Sequence, residues 1–371
     1  MKKFIYSAAF SAALLTAAVP SVSHACTSWM VFSDMTKNNT NILHKNRDSK
    51  IRNISVILSP ADSPRKWVAL GNDIYTAMGI NSSGLAGAVN SGERCIDPPK
   101  VKGKKDTTEM LRAALENCDT AVQAVDKIKE LMAAGDYSHG DKGSIFTFVD
   151  RNEGYVCEIT AKFASVQRYD KGYTVRANIW QNPNMYQMSR NTLKGHLDSS
   201  IRAFVVISEL NKVLDSKGKI TSSDNFAVSR QCLLPDDIAM KRSVCYTNTN
   251  SAADLEVDRR YPDILSTMYA AVGHPRHTIY LPIPVCTQQI LPDMQNINWS
   301  KASYTRLKEL KYNAPIPSEW SKFEADSTAE YKKAQAEARK LLDAGKRTDA
   351  VKLLNSTAEK IWKNAEKLLK I

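Results

Sequence analysis

Residues 17–48 read AAVPSVSHACTSWMVFSDMTKNNTNILHKNRD, and two sequence patterns meet within them. The chain before this stretch carries two lysines and then an apolar run over residues 4–19, which is the pattern of a secretion signal. The signal ends in a small-residue site of the A-x-A type at Ser23-His24-Ala25. We therefore predict that residues 1–25 are a signal peptide, that the protein is exported to the periplasm or secreted, and that cleavage makes Cys26 its first residue.

A cysteine at a free N-terminus combines a nucleophile and a base in one residue. An α-amine has an ordinary pKa of about 7.7 to 8.0, so it can accept the thiol proton near neutral pH. We therefore expect Cys26 to be a nucleophile whose own amine is its general base. A lipoprotein is the competing interpretation, because lipid-modified precursors are also cut before a cysteine. The lipoprotein pattern prefers an aliphatic residue three positions earlier, where this chain has Ser23.

The charge pattern and hydropathy of the chain argue against nucleic-acid binding and against a membrane span. The 371 residues carry a formal net charge of +12, which falls to +10 when Lys2 and Lys3 leave with the signal. Near the C-terminus the basic residues alternate with acids at helical spacing and no nucleic-acid-binding motif accompanies them, so we expect a solvated basic surface. Beyond the signal, no run reaches the roughly 18 apolar residues of a membrane span. The sequence predicts no nucleic-acid partner and no membrane span, and it leaves the oligomeric state open.

The cysteine count leaves the redox state open as well. In an oxidising compartment, six of the seven cysteines could pair and leave one free thiol, which fits a reactive Cys26. Buried reduced thiols are the alternative, above all for Cys118 and Cys157 in helix-like and strand-like stretches. The remaining cysteines are Cys95, Cys232, Cys245 and Cys286.

Hydrophobic periodicity predicts an α+β chain. β-Favouring residues at 26–32 and 42–44 flank a polar turn, which indicates a hairpin that begins at the nucleophile. Its short returning strand ends in the charged residues 45–49, which we expect to lie alongside the N-terminus. A charged surface turn at 45–49 is the alternative. Helix-start signals occur at Asp106 and Asp119. Further strand-like stretches lie at 54–58, 67–70, 77–90 with glycines, 144–149, 154–160, 164–169, 173–178, 243–249 and 278–282, and further helices at 199–214, 328–344 and 348–370.

Four short motifs follow one another along the chain. They are Cys26-Thr27-Ser28, Asn46-x-Asp48, Gly79-Ile80-Asn81-Ser82-Ser83-Gly84-Leu85 with Asn90, and Asp150-x-x-x-Gly154-x-x-x-Glu158. In combination they resemble the cysteine N-terminal-nucleophile (Ntn) hydrolases, which include choloylglycine hydrolases, penicillin V acylases, acid ceramidases, isopenicillin-N acyltransferase-like proteins and secreted dipeptidases. The resemblance implies a four-layer αββα sandwich over residues 26–371. The helical hairpin at about 315–371 is similar to the dipeptidase branch and is expected to pack on that domain.

The resemblance also implies roles for individual residues around Cys26. Asp48 matches the acid of the family's R-N-x-D signature, which positions the amine of the nucleophile. Asn90 and Asn178 match asparagines that stabilise the tetrahedral intermediate, and Arg202 matches an arginine near the site. No cofactor and no metal are implied.

The signature departs from the family at its first position. Lys45 stands where the family has arginine, and Arg47 occupies the variable position. A lysine supplies charge that lowers a thiol pKa but cannot make a planar bidentate contact. Either Lys45 is sufficient or Arg47 is the true counterpart. Asn81 and Arg47 are the expected substrate-binding residues.

We expect an enzyme that cleaves a linear carbon–nitrogen amide bond through a thioester on Cys26. The substrate would be an N-acyl amino acid, an acyl amide or a short peptide. A dipeptidase of the same fold is one alternative, an acyltransferase is another, and a non-catalytic periplasmic binding protein or lipoprotein is a third. A zinc site at His274 and His277 is conceivable from their spacing, but the sequence supplies no third ligand beside them.

Overall fold

The computed structural model describes residues 26–72, 75–99, 105–135, 137–232 and 243–371. The signal peptide predicted for residues 1–25 lies outside the described residues. The strands are β1 (Thr27–Val31), β2 (Asn41–Asp48), β3 (Ser55–Leu58), β4 (Trp67–Asn72), β5 (Tyr75–Asn81), β6 (Ala86–Arg94), β7 (Lys105–Asp106), β8 (Tyr137–Ser138), β9 (Lys142–Val149), β10 (Gly154–Ile159), β11 (Ala164–Tyr169), β12 (Tyr173–Arg176), β13 (Thr249–Val257), β14 (Thr267–Ala271) and β15 (Tyr280–Pro284). The helices are α1 (Thr107–Asn117), α2 (Ala121–Ala133), α3 (Pro183–Tyr186), α4 (Leu193–Lys217), α5 (Ser222–Ser229), α6 (Pro262–Leu265), α7 (Pro292–Gln295), α8 (Asn298–Leu310), α9 (Ser318–Asp343) and α10 (Arg347–Leu369).

The predicted N-terminal hairpin is confirmed, but its second strand is longer than expected. β1 and β2 pair antiparallel, with Thr27 opposite Asn46 and Ser28 opposite Lys45. The charged residues 45–48 belong to β2 and lie alongside the N-terminal strand as predicted, so the alternative of a surface turn is wrong. β13 pairs with the other edge of β2, so this strand is central in its sheet and all of its residues are buried. Its charged side chains therefore enter the interior alternately on the two faces of the sheet.

Two antiparallel sheets stack face to face in the centre of the fold. One has the order β12-β1-β2-β13-β14-β15, and the other has the order β11-β10-β9-β6-β5-β4-β3. Apolar side chains such as Met30 and Leu43 on one sheet and Ile80 and Ala88 on the other belong to the same buried cluster. Helices α1 and α2 cover the outer face of the second sheet, and α4 and α5 cover that of the first. The expected αββα sandwich is confirmed.

Glycine punctuates the turn between β5 and β6. Gly84 has φ +80°, and a Cβ there would lie 2.6 Å from the Cβ of Pro262. Glycine therefore satisfies both the left-handed backbone and the close approach of a neighbouring loop. The turn reverses the chain so that β6 runs back through the sheet and carries Asn90 to the interior.

The helix-start signals are confirmed at α1 and displaced by one residue at α2. Asp106 accepts hydrogen bonds from the N–H groups of Thr108 and Glu109, and the Glu109 side chain accepts from the Asp106 N–H, which completes a capping box. At α2 the cap is Thr120. Asp119 instead makes an ion pair with Arg65, with 2.6 Å between Nε and Oδ1.

The prediction of strands at 243–249 and 278–282 was wrong in its boundaries. The second β region consists of β13, β14 and β15, and residues 243–248 precede it as a loop. This loop is held by a side chain and not by pairing with a strand. Asn46 donates a hydrogen bond from Nδ2 to the carbonyl of Val244 at 2.9 Å. Helices α4 and α9 also begin earlier than predicted, after Thr192 and Pro317 respectively.

The predicted C-terminal helical hairpin is confirmed as α9 and α10, which pack on β15. Glu324 of α9 accepts hydrogen bonds from Arg230 Nη1 and Nη2 at 2.6 and 2.7 Å, and from the Tyr280 N–H at 2.7 Å. This buried ion pair connects α9 to β15 and to the end of α5. None of the helices in the described ranges is long and apolar enough to cross a membrane.

Candidate active site

Cys26 lies immediately before β1 and is 5% exposed. It opens onto a cavity of about 290 Å³ at the end of the two stacked sheets. The walls are contributed by β2, β5, β6, the start of α1 and the loop after β8. The lining residues are Cys26, Lys45, Arg47, Asp48, Ser49, Ile51, Tyr75, Ala77, Val89, Ser91, Asp106, Thr107, Thr108 and His139.

A larger cavity of about 840 Å³ lies beside α8. Its wall includes Arg52, Tyr304 and Lys308 but contains no cysteine. Size alone would favour it as a ligand site. We assign the chemistry to the smaller cavity because its wall contains a thiol beside charged side chains.

Lys45 occupies the interior between the sheets, beside the nucleophile. Its Nζ donates to Asn90 Oδ1 at 2.6 Å and to the carbonyl of Val89. Burial lowers the pKa of the Lys45 ammonium, Arg47 lowers it further, and a hydrogen bond with the Cys26 side chain opposes both effects. The Lys45 ammonium therefore contacts the Cys26 side chain directly. That Lys45 takes the role of the signature arginine stays a prediction.

Asn90 is fully buried and serves first to hold Lys45. Its Oδ1 accepts from Lys45, and its Nδ2 donates to Ser28 Oγ at 3.0 Å and to the carbonyl of Arg176 at 3.3 Å. Both amide hydrogens therefore have acceptors within the protein. To donate to an oxyanion, Asn90 would have to release one of them, and the longer bond to Arg176 is the weaker of the two.

Arg202 connects the nucleophile to the second asparagine. Its Nη1 donates to the carbonyl of Cys26 at 2.6 Å and to Thr27 Oγ1 at 2.8 Å. Its Nη2 donates to Asn178 Oδ1 at 2.8 Å and to Ser199 Oγ at 3.2 Å. The rigid fork of the guanidinium thus fixes Cys26 and Asn178 relative to one another. Arg202 comes from α4, so this helix positions the site from outside the sheet.

Asn178 has one amide hydrogen that the described residues leave unused. Its Nδ2 donates to the carbonyl of Ser91 at 2.6 Å, and its Oδ1 is held by Arg202. An amide nitrogen carries two hydrogens, so one is left for a ligand. Of the two predicted oxyanion asparagines, Asn178 has the donor ready and Asn90 does not.

We expect Asn178→Ala to lower kcat by about 10²- to 10³-fold with a small change in KM, because an oxyanion donor acts mainly in the transition state. Steady-state kinetics on any amide that the wild-type protein turns over would measure this. Asn191→Ala is a suitable control because Asn191 is a loop residue outside the cavity. An unchanged kcat would contradict the assignment. A large drop in the melting temperature would contradict it as well, because the loss of activity would then come from misfolding.

Asp48 is buried at the end of β2 and lines the cavity. Its Oδ1 accepts a hydrogen bond from Thr249 Oγ1 at 2.6 Å. The carboxylate therefore has a fixed orientation beside Cys26, and its charge raises the pKa of Lys45. This location suits the predicted role of positioning an N-terminal amine.

Asn81 lies away from the cavity and is occupied by the fold. Its Oδ1 accepts from the N–H groups of Ser83 and Leu85, both at 3.0 Å. Its Nδ2 donates to the carbonyls of Leu115 and Cys118 at 2.9 and 2.8 Å. These four bonds tie the β5–β6 turn to the end of α1 and leave no group for a ligand. We therefore correct the expectation that Asn81 binds substrate and assign it a structural role.

The opposite face of β2 supports the site from behind. His44 stacks on Trp29 with ring centroids 4.1 Å apart, and its Nδ1 lies 2.8 Å from Asp254 Oδ1. Trp29 Nε1 donates to Asn225 Oδ1 at 2.9 Å. This buried polar layer fixes β1 and β2 against β13 and α5, so the strand that presents Lys45 and Asp48 is held on both faces.

Sequence reasoning missed three polar residues of the cavity wall. His139 Nε2 lies 3.0 Å from Ser91 Oγ, and its Nδ1 lies 2.6 Å from Ser144 Oγ. Asp106 was recognised only as a helix cap. Local sequence gives no sign that these residues share one cavity wall, because the pairing of β6 with β9 brings their segments together. Ser91 was the easiest of the three to predict from the sequence, because it directly follows Asn90.

His274 and His277 form no metal site in the described part of the chain, which contains no cluster of three or more suitable ligands. His274 Nε2 donates to the carbonyl of Tyr246 at 3.1 Å, and its Nδ1 accepts from the Arg276 N–H at 3.3 Å. Both ring nitrogens are therefore engaged by the backbone. Burial holds the pKa of His274 well below its ordinary value, which keeps the ring neutral.

Burial also lowers the pKa of His277 to about 4, and its Nε2 lies 2.8 Å from the carbonyl of Lys311. The unfolded chain binds a proton here near pH 6.5 and the folded protein does not, so stability should be lost as the pH falls from about 6.5 to about 4. His277→Gln keeps a donor for Lys311 and should flatten that part of the curve. Urea unfolding at several pH values would measure it; an unchanged slope in the variant would contradict this origin.

Comparison with known proteins places the chain in a family. Residues 34–226, more than half of the chain, match the model of the acyl-coenzyme A:6-aminopenicillanic acid acyl-transferase family. No curated protein sequence matches.

Solved structures that resemble the chain include a variant of conjugated bile acid hydrolase from Clostridium perfringens, with 14% identity, a TM-score of 0.48 and coverage of 72% of this chain and 95% of that one. Penicillin V acylase from Agrobacterium tumefaciens gives 15% identity, a TM-score of 0.44 and coverage of 70% and 86%. The Caenorhabditis elegans ortholog of N-acylethanolamine-hydrolyzing acid amidase gives 13%, 0.43, 64% and 94%. The family match carries the assignment: the chain belongs to the acyl-coenzyme A:6-aminopenicillanic acid acyl-transferase family.

Proposed function

We propose that this protein is an exported Ntn cysteine amidohydrolase that cleaves a linear carbon–nitrogen amide bond through a thioester on Cys26. One observation carries the proposal above the others. The Cys26 thiol opens onto a cavity beside the Lys45 ammonium, while Arg202 ties the carbonyl of the same residue to Asn178. The proposed nucleophile before β1 and the cation on β2 thus line one cavity, and Arg202 links Cys26 to the proposed oxyanion donor in the segment after β12.

The reaction follows from these groups once Cys26 is the first residue of the chain. Its amine accepts the thiol proton, and the thiolate adds to the amide carbonyl. The spare N–H of Asn178 stabilises the tetrahedral oxyanion. The protonated amine then gives its proton to the leaving nitrogen as the C–N bond breaks, and a thioester remains. Water adds to the thioester after giving a proton to the amine, and the acid leaves with regeneration of the thiol.

A second amine can replace water in the last step, which would make the protein an acyltransferase. The description of the matching family, which names an acyl-transferase, supports that outcome. A dipeptidase is the other enzymatic candidate, because the helical hairpin α9–α10 is similar to the dipeptidase branch. Product analysis with and without an added acceptor amine separates acyl transfer from hydrolysis, and comparison of dipeptides with N-acyl amino acids and acyl amides as substrates separates a dipeptidase from an amidase.

Intact mass of the exported protein, before and after a thiol-directed acylating probe, tests the proposal. We expect a chain that begins at an unmodified Cys26 and gains one label. Substrate screening would then cover N-acyl amino acids, bile-salt conjugates, acyl amides and dipeptides. A chain that begins elsewhere, or a diacylglycerol adduct on Cys26, would overturn the catalytic proposal and favour a binding protein or lipoprotein.

A further inference from the structure

Arg47 is a buried guanidinium on the wall of the Cys26 cavity. Its side chain is 8% exposed, and its Nη1 atom is buried without a hydrogen-bond partner among the described residues. Two other buried arginines among the described residues have both terminal nitrogens hydrogen-bonded. Arg202 binds Cys26 and Asn178 through its two terminal nitrogens, and Arg230 binds both oxygens of Glu324. Arg47 is thus a buried arginine whose fork faces a cavity.

The two acids on the same wall are bonded to other groups. Asp48 Oδ1 accepts from Thr249 Oγ1 at 2.6 Å. Asp106 Oδ1 accepts from the backbone N–H groups of Thr108 and Glu109 at the start of α1. Burial is the dominant cause and lowers the pKa of Arg47, while the charges of Cys26 and Asp106 act in the opposite direction. Because a guanidinium stays protonated in proteins, the result is a buried charge without a full counter-charge.

The backbone keeps Arg47 in this place. It lies inside β2 opposite Ser251 of the central strand β13, so its Cα cannot move away from the cavity without breaking the ladder. Lys45 and Arg47 are two residues apart on β2 and therefore point to the same face, about 7 Å from one another along the strand. The unfilled fork and the thiol environment are within the span of one small molecule.

We propose that Arg47 is a specificity residue, whose guanidinium binds a carboxylate or similar anion of the molecule that reacts with Cys26. Resting on the proposed function, this narrows the substrates to amides with an anionic group a few bonds from the scissile carbonyl, such as N-acyl amino acids and short peptides with a free carboxylate. Neutral acyl amides are poor substrates on this account. A carboxylate fits the fork in two parallel hydrogen bonds and removes the unpaired charge.

Alkylation of Cys26 tests this without requiring amide hydrolysis. Iodoacetate and iodoacetamide have nearly the same shape and differ in charge, so the ratio of their rate constants at Cys26 reports anion binding beside the thiol. The protein that begins at Cys26 is treated with each reagent, and peptide mass mapping separates the Cys26 adduct from those of the other cysteines. We expect iodoacetate to react about tenfold faster or more in the wild-type protein, as a charge-assisted contact implies.

Three variants isolate the contribution of Arg47. Arg47→Met should bring the ratio close to or below one, although Lys45 is still present, and should not lower the melting temperature because it removes an unpaired buried charge. Arg47→Lys should give an intermediate ratio, since the charge stays and the fork is lost. Arg52→Met is the matched control: Arg52 lies over the Tyr304 ring in the neighbouring cavity, and its loss should leave the ratio unchanged.

The outcomes separate this proposal from the proposed function. Equal ratios in wild type and Arg47→Met, or an equal fall in Arg52→Met, would overturn the assignment of Arg47 whatever the protein hydrolyses. A ratio that depends on Arg47 in a protein that turns over no amide would support the anion site and count against the amidohydrolase. If amides are turned over, the wild-type protein should prefer an N-acyl glycine to the matching N-acyl glycinamide, and Arg47→Met should lose that preference.

Discussion

Replacing Cys26 with alanine is expected to lower kcat/KM for amide cleavage by about 10⁵- to 10⁶-fold, the loss seen when the nucleophile of a covalent mechanism is removed. The thioester cannot form without the thiol, and Lys45, Asn178 and Arg202 would contribute only binding and charge stabilisation. The measurement is product formation under enzyme excess, so that a slow residual rate can be quantified.

The fold should survive this change. Cys26 precedes β1 and the hydrogen bonds of Arg202 reach its backbone carbonyl and the Thr27 side chain, which alanine at position 26 leaves in place. Cys286→Ala is the matched control, because Cys286 is a half-buried thiol outside the Cys26 cavity. We expect the control to keep wild-type activity. Comparable loss in both variants, or activity in Cys26→Ala within tenfold of wild type, would refute a nucleophilic role for Cys26.

Replacing Glu324 with leucine is expected to lower the free energy of unfolding by about 3 to 5 kcal/mol, the range found when one partner of a buried ion pair is removed. The change leaves the buried Arg230 guanidinium without its counter-charge and the Tyr280 N–H without its acceptor. Because Glu324 belongs to α9, the loss should also loosen the helical hairpin from β15. Chemical denaturation at neutral pH, followed by circular dichroism, measures the difference.

Two further variants show whether the buried charge is responsible. The double change Arg230→Met with Glu324→Leu removes both charges and should recover part of the lost stability. Asp326→Asn removes an acid of the same helix that is paired with Lys322 at the surface, and such exposed pairs contribute about 0 to 1 kcal/mol. A Glu324→Leu protein as stable as Asp326→Asn would show that this ion pair does not hold the hairpin.

Local sequence was sufficient to predict the proposed chemistry and many of the helices and strands. The nucleophile, the signature acid and the two asparagines could be named because the family motifs are short and continuous. The helix cap at Asp106 and the glycine turn before β6 could be predicted because each depends mainly on residues that are neighbours in sequence. Alternation of apolar residues sufficed for β9, β10 and β11, since each has one face in a core and consecutive strands pair.

Tertiary structure decided where the charged segment of β2 goes. Taken alone, residues 45–48 look like a surface turn, because burying lysine, arginine and aspartate in sequence is unfavourable without partners. The partners come from distant parts of the chain: Asn90 for Lys45, and Thr249 for Asp48. Strand pairing with β13 then fixes this segment in the centre of a sheet.

The sequence by itself singled out Cys26 as the proposed reactive residue of this protein, and the tertiary structure decided which of the polar groups around it are already hydrogen-bonded. Asn81 and Asn178 are equally plausible ligands in a sequence, yet the first uses all four of its hydrogen bonds within the fold and the second keeps one amide hydrogen that no described residue accepts. Lys45 and Arg47 lie on one strand, but Lys45 donates to Asn90 whereas Arg47 Nη1 has no hydrogen-bond partner among the described residues. The reason is physical: a motif specifies which groups are present, whereas hydrogen bonds between distant segments determine which groups are already satisfied.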